Sequence, residues 1–139
     1  MTWSNRPGRA GEGQVMDAAV IAQDSPATGA DMDVQNLDFV SFAFNHTRVA
    51  ATSVEWWYEG TLDGTTWHRL PVNPDTSSPP DIEQQVGEKT RTWVSGKEQW
   101  IDPNVNVTGL KGIRPVVDST AGTTDEMTIY AYGEGQKSR

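Results

Sequence analysis

Residues 54–67, VEWWYEGTLDGTTW, decide the fold of this chain. Apolar side chains recur there with a period of two and fall on one face of an extended chain: Val54, Trp56, Tyr58 and Leu62. Trp57 falls on the opposite face, between two glutamates. A period of two is typical of a strand with one buried face. The pattern predicts a strand over residues 54–62 whose apolar face packs in the core.

A tight turn is predicted directly after this strand. Asp63-Gly64 is a pair typical of hairpin turns, because glycine adopts positive φ easily and aspartate tolerates the neighbouring turn position. We expect the return strand over residues 67–72, with Trp67 packed in the core. The two strands and their turn predict an antiparallel hairpin.

Further short strands are predicted on either side of the hairpin. The clearest is residues 39–45, where Val40, Phe42 and Phe44 share one face. The others are predicted at residues 15–21, 90–94, 99–101, 113–117 and 127–132. Pro115 cannot donate a ladder hydrogen bond, which predicts that its strand lies at a sheet edge or carries a bulge. No long stretch shows a helical period.

The composition agrees with a fold built from strands and turns. About eight short strands separated by turns are typical of a sandwich. The chain has 13 glycines, 8 prolines and only 35% hydrophobic residues, which favours a thin core between two sheets. We predict an all-β protein, an antiparallel β-sandwich of jelly-roll-like or Ig-like type. Its 139 residues have the size of one domain.

Three segments are predicted along the chain. Residues 1–14 contain Pro7 and three glycines in a polar setting and are expected to form an extended N-terminal arm. Residues 15–133 are expected to form the β-sandwich domain. Residues 134–139 are polar and are expected to form a flexible C-terminal tail.

The charge and the absence of cysteine limit the classes of partner. The chain has 11 Lys and Arg against 19 Asp and Glu, a formal charge of −8. A surface of this sign repels phosphate, so we expect neither nucleic acid nor a membrane as partner. There is no cysteine, which excludes a disulfide framework and a thiolate metal site. No stretch approaches the ~20 apolar residues of a membrane span, and we expect the protein to be made in a cytoplasm.

No constellation of residues predicts an enzyme. His46 and His68 are the only histidines, and their spacing favours neither a metal site nor a catalytic dyad. Neighbouring carboxylates occur at three places and are interpreted as solvated faces: Asp31 with Asp33, Glu55 with Glu59, and Asp125 with Glu126. Asp31 and Asp33 have oxygens suited to calcium, as loops of sandwiches often do, but the glycine-containing twelve-residue loop of the EF-hand type is absent. We predict no catalytic residue, no metal and no cofactor. A small hydrolase with an unrecognised carboxylate pair is the third and weakest alternative.

The six tryptophans are the most informative residues, because an indole can fill a core, stack on a sugar ring or anchor an interface. Trp56 is expected in the core with Trp67. Trp57 faces away from the core, where it either packs under a loop or second layer or is exposed to a partner. Trp3, on the predicted arm, is suited to plug a pocket of a neighbouring subunit. The candidate partner-binding residues are Trp3, Arg6, Arg9, Trp57, Trp93 and Trp100.

The hairpin at residues 54–67, followed by residues 112–117 and 124–133, resembles the β-sandwich virion proteins of tailed bacteriophages. The resemblance implies a non-enzymatic structural subunit of the virion head or tail, such as a capsid decoration protein that stabilises subunit contacts or a tail-associated protein. It implies that the partners are other virion proteins and copies of the same chain. It also implies a location in the virion after assembly in the host cytoplasm.

The same strand, Asp-Gly turn and Trp67 are also similar to discoidin-type and other carbohydrate-binding sandwiches. The alternative prediction is therefore a carbohydrate-binding module in which Trp57 and further aromatic residues stack on the sugar rings of a glycan. An ordered arm over residues 1–14 discriminates the two, because an assembly subunit needs it and a carbohydrate-binding module does not.

Overall fold

A computed structural model of the chain describes residues 3–4, 11–71 and 88–135. In these ranges no helix is long and apolar enough to cross a membrane. The described regular elements are ten strands: β1 Gly11–Val20, β2 Ala27–Thr28, β3 Met32–Asp33, β4 Leu37–Thr47, β5 Ser53–Thr61, β6 His68–Arg69, β7 Lys89–Thr92, β8 Gln99–Asn106, β9 Gly112–Ser119 and β10 Glu126–Gly135. The all-β prediction is confirmed.

The strands form two antiparallel sheets that pack face to face. The four-stranded sheet has the order β1-β10-β4-β8. In the six-stranded sheet, β9 lies between β5 and the pair β2 and β3, and β5 pairs on its other side with β6 and β7. The two sheets enclose the core, which confirms the predicted β-sandwich.

The strand order is that of a jelly roll. If β2 with β3, and β6 with β7, each count as one interrupted strand, eight strands remain, and the sheet orders become 1-8-3-6 and 2-7-4-5. This is the order of two nested Greek keys in a jelly roll. It differs from the two sheets of an immunoglobulin sandwich, in which the first two strands are neighbours. Of the two predicted types, the structure is the jelly roll.

The core consists of the inward-facing residues of both sheets. Val40, Phe42 and Phe44 of β4 are buried on one face, as the period of two predicts. The ring of Phe42 stacks on Tyr58 of β5 with centroids 4.6 Å apart, and the ring of Phe44 lies 5.1 Å from Trp56. Each such side chain contributes about 1.5–3 kcal/mol when it is removed from water. Cross-sheet aromatic pairs therefore join the two sheets.

The turn after β5 is longer than a two-residue hairpin. The Asp63 carboxylate accepts hydrogen bonds from the amides of Thr65 and Thr66, both at 2.8 Å. These amide bonds, with that of Thr66 the largest cause, hold the pKa of Asp63 well below its usual range. The strand ends at Thr61, so the prediction that Leu62 packs in the core is wrong: Leu62 is 73% exposed.

The return strand of this hairpin is shorter than predicted. It comprises only His68–Arg69, followed by a bond from the Leu70 amide to the Tyr58 carbonyl. Val72, the last residue of the predicted strand, lies outside the described residues. Two residues pair in the sheet, and the segment before them, including Trp67, connects β5 to β6.

The prediction that Pro115 marks an edge strand or a bulge is wrong. β9 is paired on both sides, and its register with β5 is continuous. The Pro115 carbonyl accepts a bond from the Gly29 amide at 2.8 Å, on the side away from β5. The proline nitrogen faces the same side, where the outer partner is interrupted between β2 and β3. The missing N–H therefore removes no ladder bond.

The segment boundaries also differ from the predicted ones. Strand β1 begins at Gly11, so residues 11–14 pair with β10 instead of belonging to an arm. Strand β10 continues to Gly135, two residues into the predicted tail. The rest of that tail, residues 136–139, lies outside the described residues. Glycines interrupt the alternation of apolar side chains at both ends, so the pattern does not predict a strand over these residues.

Candidate interaction surfaces

The outer face of the four-stranded sheet carries a cluster of exposed apolar side chains, here called the tyrosine face. Its members are Phe39, Ala43, Ile101, Tyr130 and Tyr132. Phe39 is 42% exposed, Ile101 67%, Tyr130 39% and Tyr132 45%. Contiguous exposed apolar residues on a rigid sheet are typical of an interaction site.

Strand register brings these side chains together. Tyr130 of β10 lies opposite Ala43 of β4, which in turn lies opposite Ile101 of β8. Tyr132 lies one pleat further along β10, since residues two apart share a face. Glu134 then lies opposite Phe39. The tyrosine face thus spans three adjacent strands of one sheet.

The edge of the tyrosine face is acidic. The Tyr130 hydroxyl donates to the Glu12 carboxylate at 3.2 Å. Partial desolvation raises the pKa of Tyr130, and the bond and charge of Glu12 raise it further. The phenol is therefore a neutral donor at physiological pH. Tyr130 and Tyr132 are not among the predicted partner-binding residues, although the alternation of Met127, Ile129 and Ala131 with polar or aromatic residues places them outward.

The outer face of the six-stranded sheet carries stacked tryptophan and arginine side chains. The Arg69 guanidinium lies 4.1 Å above the Trp57 ring, and that of Arg114 lies 4.2 Å above the Trp67 ring. Arg114 also donates to Glu59 at 2.8 Å. Trp57 faces away from the core, as predicted, but one face of its ring is covered by Arg69. The prediction that Trp67 packs in the core is wrong, since it stacks under Arg114 instead.

Trp100 and Trp93 are both half-buried near β7. The Trp100 ring is parallel to Phe44, with centroids 5.0 Å apart and an interplanar angle of 3°, so it packs against the core. The Arg48 guanidinium covers Trp93 at 4.2 Å. The indole nitrogens of both are buried without a hydrogen-bond partner in the described part of the chain. Neither ring offers a free flat face comparable with the tyrosine face.

Trp3 lies on the body of its own chain. Its indole nitrogen donates to the Asp33 carbonyl at 3.1 Å, and its ring packs against the core. Arg6 and Arg9, the other predicted partner-binding residues of this segment, lie outside the described residues.

A charged network joins the two sheets in the interior. Asp102 of β8 accepts bonds from the Trp56 indole at 3.0 Å, the Tyr58 hydroxyl at 2.6 Å and the Lys89 ammonium at 2.8 Å. Burial raises the pKa of Tyr58 well above its ordinary value, and the Asp102 charge raises it further. Tyr58 is therefore fixed as a donor. The carboxylate is satisfied by three partners from the opposite sheet, and its role is structural.

His46 and Asp125 form a second buried pair, with the ring Nε2 2.7 Å from the carboxylate. The interpretation of Asp125 as a solvated residue is wrong, because it is fully buried. It also accepts the amide N–H of Ala50 at 2.8 Å and that of Ala51 at 3.2 Å. Burial alone would raise the pKa of Asp125, but the bonds from Ala50 and His46 outweigh it and lower the pKa. The pair holds the loop between β4 and β5.

In each of the other two carboxylate pairs, one member contacts the same arginine. Asp31 and Glu59 both contact Arg114, at 3.6 Å and 2.8 Å. Glu55 lies directly opposite Asp118, and desolvation followed by repulsion from Glu88 and Asp118 raises the pKa of Glu55. Among the described residues, no group of three or more His, Asp and Glu side chains is placed to hold a metal ion.

Comparison with known proteins gives a likeness in fold only. No known protein family matches the chain, and no curated protein matches it. Among solved structures, the SPBc2 prophage-derived protein YomS is similar, with a TM-score of 0.50 and 14% sequence identity. The likeness covers 90% of this chain and 92% of YomS. The chain therefore has a β-sandwich fold like that of a phage-derived protein.

Proposed function

We propose that the protein is a non-enzymatic structural subunit of a bacteriophage virion and that it binds neighbouring virion proteins through the tyrosine face. The observation that carries the proposal is the exposure of Phe39, Ile101, Tyr130 and Tyr132 on one rigid sheet. Tyrosine and phenylalanine are enriched at protein interfaces, and a regular sheet loses little conformational freedom on binding. The expected role is capsid decoration, in which contacts between subunits stabilise the particle.

The fold and the charge support the same role. Jelly rolls occur in viral capsid proteins as well as in lectins, and the similar fold of YomS comes from a prophage. The formal charge of −8 keeps the remaining surface soluble and disfavours association through it. An apolar face on an otherwise acidic body directs binding to one orientation.

The absence of catalysis is part of the proposal. The polar side chains best placed for chemistry are occupied by structural bonds: Asp102 joins the sheets, and His46 with Asp125 holds backbone amides. Glu59 and Asp31 are bound by Arg114. Each of these groups has a partner that explains its position.

The test is co-sedimentation with phage particles. Tagged wild-type protein, produced in cells in which the source phage is induced, is expected to band with purified particles in a density gradient. A variant with Ile101→Asp and Tyr132→Asp is expected to stay at the top of the gradient, because charges on the tyrosine face oppose burial.

The matched control is Leu62→Asp. Leu62 is apolar and 73% exposed but lies in the turn after β5, on the other sheet. This variant is expected to band with particles like the wild type. Absence of wild-type protein from the particles would overturn the proposal, as would equal banding of the Ile101→Asp/Tyr132→Asp variant.

A carbohydrate-binding function is the second candidate, and one observation favours it. Tyr130 and Tyr132 present neighbouring aromatic rings on an open flat face, which suits stacking on successive sugar rings. Trp57, the residue predicted for this role, is covered on one side by Arg69. Glycan binding that is lost in Tyr130→Ala and Tyr132→Ala, by a protein absent from particles, would favour this candidate.

A further inference from the structure

A slot at one end of the sandwich is built to hold an indole. The Trp3 ring occupies it and lies against Gly11 of β1 and Gly133 of β10. A Cβ on Gly11 would lie 2.6 Å from the ring, and a Cβ on Gly133 would lie 3.2 Å from the ring and 2.8 Å from Leu37. Neither glycine has a positive φ, so neither is required by the backbone conformation. Both provide space.

The slot is closed by contacts with both sheets. The indole nitrogen of Trp3 donates to the carbonyl of Asp33, on β3 of the six-stranded sheet. Gly11 and Gly133 belong to the four-stranded sheet. The ring therefore bridges the sheets at the end of the core, and Leu37 and Val40 lie beside Gly133 there. An open slot would expose this end of the core to water.

The residue after Trp3 is held at the edge of the same sheet. The Ser4 amide donates to the Glu12 carbonyl at 2.8 Å, and the Glu12 amide donates to the Ser4 carbonyl at 3.0 Å. Ser4 thus continues the four-stranded sheet beyond β1, its edge strand. Trp3 and Ser4 are thus held by the packing of one indole ring and by three hydrogen bonds. Every copy of the chain carries the groups that make these contacts.

We propose that in the assembled state the segment containing Trp3 and Ser4 occupies the slot of a second copy of this chain and so links subunits by exchange. The exchanged and internal arrangements contain the same contacts, so the choice between them depends on the local concentration of copies, which assembly makes high. This inference rests on the proposed function and names the partner of one of its contacts.

The length of the connection limits the geometry. Six residues, 5–10, separate Ser4 from Gly11 in the sequence. Such a connection spans at most about 20–25 Å. The slot of the second copy must therefore lie close to the β1 edge of the first, which predicts neighbouring subunits related with their β1 edges side by side.

Cysteine cross-linking between two different variants tests the exchange, since the chain has no cysteine of its own. One variant carries Ser4→Cys and the other Glu12→Cys. At these two positions each backbone amide donates a hydrogen bond to the carbonyl of the other residue. Such opposed pairs have Cα atoms ~5.5 Å apart, within the range of a disulfide. The two full-length variants are unfolded together, refolded as a concentrated mixture that reproduces the high local concentration of copies in an assembly, and oxidised. The mixed disulfide is measured on a non-reducing gel and by mass spectrometry.

Two controls show whether a cross-link requires the slot. Ser4→Cys mixed with Thr65→Cys, in the exposed turn after β5, reports random collision. In the second control, Ser4→Cys is mixed with a chain that carries both Glu12→Cys and Gly11→Ala, in which the added Cβ occupies the space of the Trp3 ring. Loss of the cross-link in this mixture shows that cross-linking requires the slot. A chain with both Ser4→Cys and Glu12→Cys shows that this pair forms a disulfide.

Exchange predicts several-fold more mixed disulfide from Ser4→Cys with Glu12→Cys than from either control mixture. Mixed disulfide at the collision level, with the double variant cross-linked within single chains, would overturn the inference. The proposed function is tested separately, by banding with particles. Banding without exchange would support the proposed function and overturn the inference. Exchange without banding would support the inference and overturn the proposed function.

Discussion

At the scale of single residues, Asp102 connects the sheets most directly. Its carboxylate accepts hydrogen bonds from Trp56, Tyr58 and Lys89 of the opposite sheet. Lys89 is partly exposed, which screens its interaction with Asp102. The main contribution is therefore satisfaction of the buried indole and hydroxyl groups.

Asp102→Asn is expected to lower the free energy of unfolding by about 2–3 kcal/mol, because it leaves Lys89 uncompensated and weakens two buried bonds. Lys89→Met is the matched comparison and keeps the bonds from Trp56 and Tyr58, so a smaller loss is expected. Urea denaturation measures both. Equal losses in the two variants would show that the ion pair, and not the hydrogen bonds to Trp56 and Tyr58, carries the stabilisation.

Glu55 is a residue whose charge opposes folding. Burial, followed by repulsion from Glu88 and Asp118, raises its pKa in the folded state. A carboxyl with a raised folded pKa penalises the fold at neutral pH, and the penalty disappears as the pH falls below the unfolded pKa of about 4.3. Glu55→Gln is expected to raise stability by about 0.5 kcal/mol at pH 7 and to change nothing near pH 3.5. Thermal denaturation at the two pH values checks this, and a loss at pH 7 would contradict it.

At the scale of elements, the gap between β2 and β3 in the six-stranded sheet has no room for a side chain. Gly29 lies in this gap, where a Cβ would meet Pro115 Cγ at 2.7 Å and the Val15 carbonyl oxygen at 2.9 Å. Gly29→Ala is expected to cost about 1–3 kcal/mol, because the backbone must move. Gly135→Ala, whose nearest contact would be 3.4 Å, is expected to cost under about 0.5 kcal/mol in the same urea titration. Similar costs in both would contradict this account of the gap.

The elements also show which parts of the fold the sequence could predict. β4 and β5 were predictable because apolar side chains alternate along them with a period of two. β2, β3 and β6 have two residues each, too few for a period. The place of Pro115 was not predictable, because the sheet accommodates it by interrupting its outer partner, which depends on residues distant in sequence. The exposure of Leu62 was not predictable either, because the turn begins one residue before the apolar pattern ends.

The candidate site was less predictable than the fold. Trp57 was correctly placed outward, but the arginine that covers it comes from β6. Tyr130 and Tyr132 are outward for the same period-of-two reason, yet their clustering with Ile101 depends on the pairing of β10, β4 and β8. Tertiary pairing between distant strands decides such a surface, and a single strand pattern does not contain it.

At the scale of the whole molecule, the two outer faces differ in character. The six-stranded sheet presents arginines stacked on Trp57 and Trp67 and paired with carboxylates. The four-stranded sheet presents the tyrosine face with Glu12 beside it. On the first face the rings of Trp57 and Trp67 are covered by arginines, whereas the second face leaves apolar rings in water. In an assembled particle we expect the four-stranded sheet to face its neighbours.

Hydroxyl-radical footprinting of the free protein and of purified particles, read by mass spectrometry, tests this claim most directly. Tyr130, Tyr132 and Ile101 are exposed in the free chain, and Leu62 is an exposed internal reference on the other sheet. The account predicts that oxidation of Tyr130, Tyr132 and Ile101 falls several-fold in particles while Leu62 stays reactive. Unchanged oxidation of the tyrosine face in particles that contain the protein would contradict it.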